Sequence, residues 1–350
     1  MAMNRRRFLQ TIGLTPFAAR WPIAGRAGER PPLLKPRRLA PGDTVGLVSP
    51  ASATFNSIDV QIARESLEAL GLKVRLGEHM MERHGYLGGD DKARAADINA
   101  FFADAAVAAV HPIRGGWGSS RVLPHLDFEA IRRNPKILLG YSDITALLLA
   151  VHAKTGLVTF HGPIGLGRWD AFSVDYYKRV LFDGEPVLLQ NKRDLTADRN
   201  SLTPVEYRTT TIAPGTARGR LLGGNLTVLT AIVGSSYLPD WDGCLFFCED
   251  VHEDPYRIDR MLTQLKLAGV LGRIRGFIFG TCAECSPGEG SYASLTLEEI
   301  FADHIKPLGV PAWQGAMIGH QMPQWTIPEG IEAEMDAAAG TIKLLEPAVR

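Results

Sequence analysis

Apolar residues in the first half of the chain alternate between strand-like runs and helix-like spacing. Residues 44–49 are apolar and β-branched and stop at Pro50, which predicts a buried strand. Residues 58–70 carry apolar side chains at helical spacing and end at Gly71, a favourable helix stop. The predicted elements that follow are a strand at 73–76, a helix at 92–104, a strand at 106–113, the glycine-rich loop 114–118 and another helix. This alternation predicts an α/β fold with a parallel sheet, whose ligands bind beyond the carboxyl ends of the strands.

The second half of the chain opens with a segment in which apolar residues show no sustained helical or strand-like spacing. Residues 168–214 mix charged, threonine and proline residues, which predicts a linker or an insertion. Regular patterns resume at Gly219, with a turn at 221–225, a strand at 244–248, a helix at 256–267 and a strand at 276–279. Because 350 residues exceed the usual size of one domain, two domains sharing a cleft are expected.

The first residues of the chain resemble a twin-arginine export signal. Arg5, Arg6 and Arg7 precede Phe8 and Leu9, and a mildly apolar segment follows. We therefore expect residues 1–28 to be a signal and the protein to be periplasmic. A disordered basic tail on a cytoplasmic protein is the alternative.

Charge and hydropathy argue against two classes of partner. Lys and Arg total 38, as do Asp and Glu, and no basic run follows the first few positions, so nucleic acid is not an expected partner. The longest strongly apolar stretch, residues 144–153, is shorter than the roughly 18 residues that span a bilayer. No membrane span is expected.

The four cysteines are too few for a disulfide scaffold. Cys282 and Cys285 form a CxxC pair that fits half of a zinc site, a redox pair or a disulfide. Cys244 and Cys248 lie in an apolar run, where a role in the core is favoured over metal binding.

Two serines follow predicted strands and fit a nucleophile. Ser120 ends the loop RGGWGSS, whose three glycines allow positive φ and a close approach to substrate. A helix beginning near Ser120 would point free N–H groups at an oxyanion, and the backbone N–H groups of Gly116 and Arg121 are candidate donors. Ser142, in GYSD after an apolar run at 136–139, fits the pattern equally well.

Other motifs indicate different chemistry only weakly. The loop contains GxG, but Arg121 occupies the last glycine position of a dinucleotide fingerprint, and a plain tight turn fits the same glycines. The sequence contains no GxSxG, SxxK or HExxH motif, which disfavours ordinary α/β-hydrolases, penicillin-binding enzymes and zincins. His79 and Glu82 form a bare HxxE, a short pattern that arises by chance.

Taken together, the chain resembles the LD-carboxypeptidases, to which the microcin-degrading peptidases are related. The resemblance lies in GDTVGLVSPAS (42–52), RGGWGSSRVLPHLD (114–127), PKILLGYSDITALL (135–148), HGP (161–163), GGNL (223–226), CEDVHEDPYRIDRMLTQL (248–265), IGH (318–320) and IPEG (327–330). Several blocks in the same order are far more specific than any single one.

The resemblance implies a fold and a catalytic triad. It implies a flavodoxin- or Rossmann-like parallel sheet domain at 34–165, a linker or insertion at 166–214 and a mixed α/β, swivelling, barrel-like domain at 215–347. It places the nucleophile at Ser120, the acid at Glu249 and the base at His320, so that both domains contribute to one site. From the residues alone, Asp250 fits the acid's role as well as Glu249 does.

The resemblance also implies a substrate. A serine carboxypeptidase of this kind removes terminal D-alanine from peptidoglycan-derived tetrapeptides without metal or organic cofactor, and related proteins imply a homodimer. Arg114 and Arg121 are candidates to bind the terminal carboxylate, and Trp117 is a candidate to form a wall of the substrate pocket. A microcin-type peptide or amide substrate, or a non-catalytic muropeptide-binding protein, remains the alternative.

Overall fold

The computed structural model describes residues 30–192, 206–287 and 293–350. The predicted export signal at 1–28 lies outside them, as do residues 193–205 of the predicted linker, and both expectations stay predictions. From Pro31 onwards the described chain forms one compact unit. Every helix within these ranges is too short or too polar to cross a lipid bilayer.

The described residues contain strands and helices in alternation. The strands are β1 Thr44–Val48, β2 Lys73–Leu76, β3 Val107–Pro112, β4 Ile137–Gly140, β5 Thr159–His161, β6 Leu188–Gln190, β7 Thr210–Ala213, β8 Thr216–Asn225, β9 Leu245–Val251, β10 Gly276–Ala283, β11 Ala312–Gln314, β12 Ile327–Glu329, β13 Glu332–Asp336 and β14 Thr341–Leu344. The α-helices are α1 Ser57–Ala69, α2 Asp91–Ala103, α3 Phe128–Arg133, α4 Thr145–Thr155, α5 Ala171–Lys178, α6 Leu226–Ala231, α7 Pro255–Leu267 and α8 Leu297–His304.

The first sheet has the parallel topology that the sequence predicts. Its strand order is β2-β1-β3-β4-β5, all parallel, and β12 is added antiparallel at the β5 edge. Because β12 comes from the C-terminal part of the chain, the segment before it, which contains His320, is brought to the first sheet.

The second sheet is mixed. Its order is β6-β14-β13-β8-β9-β10-β11-β7, with β8 to β11 parallel and the other pairs antiparallel. The α/β class with two sheets is therefore confirmed. Strand β9 extends to Val251, beyond the predicted end at 248, so Glu249 lies inside a strand and is fully buried.

The two sheets share a hydrophobic core. One cluster of buried side chains joins Phe160 of β5 to Phe247 of β9 and Ile278 of β10, and Trp325 precedes β12 in the same cluster. Each sheet therefore depends on the other for the burial of its apolar face.

Three local features differ from a simple interpretation of the pattern. The helix predicted after the loop 114–118 is a 3-10 helix, Ser119–His125, with Pro124 inside it. Within the segment 168–214, α5 begins at its N-cap Asp170, and β6 and β7 follow. Cys282 and Cys285 are joined by a disulfide, which decides among the three interpretations of the pair, and Cys244 and Cys248 are buried.

Candidate active site

Ser142 lies at a sharp turn between β4 and α4. Its φ is +61°, a left-handed conformation that residues other than glycine rarely adopt. Two residues earlier the turn requires glycine, because a Cβ at Gly140 would lie 2.7 Å from Cγ2 of Ile144. A strained strand-to-helix turn of this kind exposes a nucleophile's oxygen above the end of a sheet.

A histidine and a glutamate line up behind the Ser142 hydroxyl. His320 Nε2 is 3.0 Å from Ser142 Oγ, and His320 Nδ1 is 2.7 Å from Glu249 Oε2. The backbone N–H of His320 also donates to that carboxylate oxygen, at 3.4 Å. The imidazole is thus positioned on both sides by hydrogen bonds.

The Glu249 carboxylate is held from the second sheet. Asn225, at the end of the neighbouring strand β8, donates through Nδ2 to Glu249 at 3.3 Å and to Asp250 at 3.0 Å. Asp250 accepts from the backbone and the hydroxyl of Thr227, at 2.9 and 2.8 Å. Among the described residues, Glu249 and not Asp250 is hydrogen-bonded to the imidazole of His320. Asn225, in the quoted GGNL block, was not among the predicted site residues.

The environment of His320 favours its protonated form. Burial lowers the pKa of the imidazole, but the hydrogen bond and charge of Glu249, together with the charge of Asp250, outweigh burial, and the pKa is raised above 6.5. Burial and the charge of Glu249 raise the pKa of Asp250 to about 6. Burial lowers the pKa of the nearby His161 to about 4 and keeps that ring neutral.

Ser120, the predicted nucleophile, is not at this position. It is exposed in the 3-10 helix, and among the described residues no hydrogen bond joins it to His320. Its neighbour Ser119 is buried and braces the Ser142 turn: the Ser119 backbone donates to Asp143 Oδ2 at 2.7 Å and its hydroxyl to the Asp143 carbonyl. The structure brings Glu249 and His320 together as predicted, but with the hydroxyl of Ser142. The sequence signal for this serine is the turn after an apolar strand in GYSD.

The glycines of the loop 114–118 bring its backbone against the Ser142 turn. A Cβ at Gly115 would lie 3.1 Å from Ser142 Cβ and 3.5 Å from the backbone nitrogen of Asp143. Gly116 has a φ of +111° and packs on Ser52. The backbone N–H of Trp117 donates to the Ser52 hydroxyl at 3.0 Å. The loop therefore lies against Ser142 through its backbone.

The larger side chains of the loop lie at its rim. Trp117 is 68% exposed and stands edge-on to Tyr86, with ring centroids 6.3 Å apart. Arg121 is exposed and forms a two-pronged ion pair with Asp91, at 2.9 to 3.1 Å. Its backbone N–H donates to the carbonyl of Gly118, so it is not free to stabilise an oxyanion.

The described residues that could bind a metal ion do not form a metal site. His79 Nδ1 pairs with Asp97 at 2.8 Å. Within the three described ranges, no group of three or more His, Cys, Asp or Glu side chains is placed to hold a metal ion.

Comparison with known proteins identifies the class of this protein as a serine-type carboxypeptidase. Residues 45–162 match the LD-carboxypeptidase N-terminal domain and residues 218–335 match the LD-carboxypeptidase C-terminal domain. The chain belongs to the LD-carboxypeptidase family, which confirms the resemblance found in its sequence.

Similar proteins extend over most of the chain. A probable murein peptide carboxypeptidase of Bacillus subtilis is 40% identical over 88% of this chain and 93% of its own length. A murein tetrapeptide carboxypeptidase of Pseudomonas aeruginosa is 31% identical over 83% of this chain and 92% of its own. Among solved structures, the microcin C7 self-immunity protein MccF without ligand has a TM-score of 0.79 at 28% identity and covers 91% of this chain and 100% of its own.

Proposed function

We propose that this protein is an LD-carboxypeptidase that removes terminal D-alanine from peptidoglycan-derived tetrapeptides, with Ser142 as nucleophile in place of Ser120. The observation that carries the proposal is the hydrogen-bonded series from Ser142 Oγ through His320 to Glu249, at 3.0 and 2.7 Å. Family membership and relatives named for murein peptides support the substrate class.

The proposed mechanism uses these three side chains in turn. His320 Nε2 takes the proton of Ser142, and the alkoxide forms a bond to the peptide carbonyl carbon. His320 then gives that proton to the departing amine as the C–N bond breaks, which leaves an ester on Ser142. A water, deprotonated by His320, attacks the ester carbonyl. The ester bond to Ser142 then breaks, His320 returns the proton to Ser142 Oγ, and the shortened peptide is released with a new carboxylate. Glu249 stays ionised and holds the proton of the imidazole on Nδ1.

The oxyanion is stabilised in this proposal by backbone groups beside Ser142. The N–H of Asp143 follows the nucleophile at the start of the 3-10 turn, as in other nucleophile turns. Gly115 supplies the second N–H, because its backbone is so close to Ser142 that an added Cβ would lie 3.3 Å from Ser142 Oγ. These two donors replace the expected Gly116 and Arg121, and each is worth roughly 3 kcal/mol of the barrier.

A single assay separates this proposal from its alternatives. The protein is incubated with a defined murein tetrapeptide, and the products are identified by mass spectrometry. Release of D-alanine supports the proposal. A protein that binds the peptide without cleaving it would be the non-catalytic alternative, and cleavage only of aspartyl sulfamoyl adenosine, the ligand in one MccF structure, would indicate the microcin-type activity.

Two variants test the choice of nucleophile. Ser142→Ala is expected to lower kcat by roughly a millionfold and to abolish labelling by a fluorophosphonate probe, because no other hydroxyl among the described residues is hydrogen-bonded to His320. Ser120→Ala is the matched control and should keep activity within about twofold, as expected of an exposed surface serine. Loss of labelling in Ser120→Ala with retention in Ser142→Ala would reverse the assignment.

A further inference from the structure

Arg114 lies just beyond the carboxyl end of β3, an interior strand of the first sheet. It directly precedes Gly115, which packs on Ser142. Its side chain is partly buried, and within the described part of the chain its one hydrogen bond is long, 3.4 Å from Nη1 to the carbonyl of Ala53. The Nε atom is buried and has no acceptor among these residues. Among the described residues, no carboxylate lies within ion-pairing distance of this guanidinium.

The neighbouring arginines share a carboxylate partner. Arg94 and Arg121 both pair with Asp91, at 2.6 and 2.9 Å. Arg114 differs from them because it is a partly buried cation with no carboxylate partner in the described ranges. Such a charge is costly unless it is paired, and a guanidinium suits a carboxylate because it donates two parallel hydrogen bonds.

We propose that Arg114 binds the free terminal carboxylate of the substrate and thereby makes the enzyme a carboxypeptidase. This inference rests on the proposed function. In a peptide cut at its last bond, the terminal carboxylate belongs to the residue directly beyond the carbonyl that Ser142 attacks. Residue 114 is correspondingly adjacent to Gly115, which lies against Ser142. The two Nη groups supply the paired hydrogen-bond donors that a carboxylate requires.

The test compares two tetrapeptides that differ in one group: one ends in D-alanine and the other in D-alanine amide. The wild type should prefer the free acid by about 10- to 100-fold in kcat/KM, the discrimination expected from hydrogen bonds to a charged group. In Arg114→Gln, cleavage of the acid should fall by that factor and cleavage of the amide should not change, so the ratio approaches one. Arg114→Lys should be intermediate, because an ammonium cannot make the two-pronged contact.

Arg121→Gln is the matched control, because Arg121 is the other arginine that the sequence offers for this role. It should keep the wild-type ratio. Equal losses on both peptides in Arg114→Gln would show a structural role and overturn the inference, as would collapse of the ratio in Arg121→Gln alone.

A binding measurement keeps the inference testable if the proposed function fails. Calorimetry on the Ser142→Ala protein should show tighter binding of the acid than of the amide, and Arg114→Gln in that background should remove the difference. A wild type that cleaves neither peptide would count against the proposed function. Unchanged preference in the binding experiment after Arg114→Gln would count against the inference.

Discussion

Two adjacent acids on β9 differ in their hydrogen-bond partners, although Asn225 donates to both. Glu249 faces His320, whereas Asp250 is held by Asn225 and Thr227. The hydrogen bond and the negative charge of Glu249 raise the pKa of His320 against the effect of burial, and burial together with the charge of Glu249 raises the pKa of Asp250. Substitution of Glu249 should therefore change the pKa of His320.

Glu249→Gln should lower kcat by roughly 1,000- to 10,000-fold, because an amide no longer fixes the Nδ1–H tautomer or stabilises the imidazolium. Steady-state kinetics with the murein tetrapeptide measure the loss. Asp250→Asn is the comparison, and its effect should be much smaller because Asp250 makes no hydrogen bond to the imidazole within the described chain. A larger loss in Asp250→Asn would exchange the roles of the two acids.

The pH dependence of kcat/KM should report the raised pKa of His320. The base acts only when neutral, so activity falls as pH decreases through that pKa, and the acidic limb should have its midpoint above 6.5. Glu249→Gln removes the hydrogen bond and the charge that raise the pKa while burial still lowers it, so the midpoint should move to lower pH. Asp250→Asn should move it in the same direction by less. A midpoint below 6.5 in the wild type would contradict this account.

At the level of residues, the family resemblance singled out the histidine and the acid that the structure brings together, but not the serine beside them. The motifs carried by the family resemblance contain both Ser120 and Ser142, and each follows a predicted strand. The φ of +61° at Ser142 and the approach of His320 from a distant segment are decided by tertiary structure. Arg114 and Arg121 were equally good candidates to bind the terminal carboxylate, because only tertiary structure shows that Asp91 pairs with Arg121.

At the level of elements, the turn before His320 depends on one glycine. Gly319 has a φ of +76°, and a Cβ there would overlap the Glu249 carboxylate, which is itself held in a strand. Gly319→Ala should therefore lower kcat by about 100-fold or more through displacement of the catalytic groups, and destabilise the fold by roughly 1–3 kcal/mol.

Gly269→Ala separates strain from displacement. Gly269 has a similar φ of +73°, but a Cβ there meets nothing within 4 Å. It should show the loss of stability, measured by denaturant unfolding, without the loss of kcat. Equal losses of kcat in the two variants would mean that overlap with Glu249 is not the cause of the lower activity.

Elements in the first half were predictable because their patterns are local. The predicted strand at 73–76 coincides with β2, and the predicted helix at 92–104 is displaced by one residue from α2. The helix predicted after the loop 114–118 is a 3-10 helix and not an α-helix. Pro124 and the hydrogen bond from the Ser119 backbone to Asp143 favour the tighter helix. Short strands such as β6 and β12 have three residues each, too few for a period to be visible.

At the level of the whole molecule, the chain returns to its first sheet near its end. No local pattern shows that β12 pairs with β5 instead of with its sequence neighbour β13. That pairing brings His320 over the end of β4, where Ser142 lies. The boundaries 34–165, 166–214 and 215–347 and the homodimer stay predictions.

The shared core predicts that the two sheets unfold together, although a chain of this length often unfolds in stages. Phe160 on β5 and Phe247 on β9 are both fully buried in the cluster that joins the sheets. Phe160→Ala and Phe247→Ala should each cost about 3–5 kcal/mol. If the core is one cooperative unit, each variant shifts the urea midpoints of far-UV circular dichroism and of tryptophan fluorescence equally. A second transition in either variant, seen by one probe and not the other, would show that the sheets are separable, and the site would then depend on their docking.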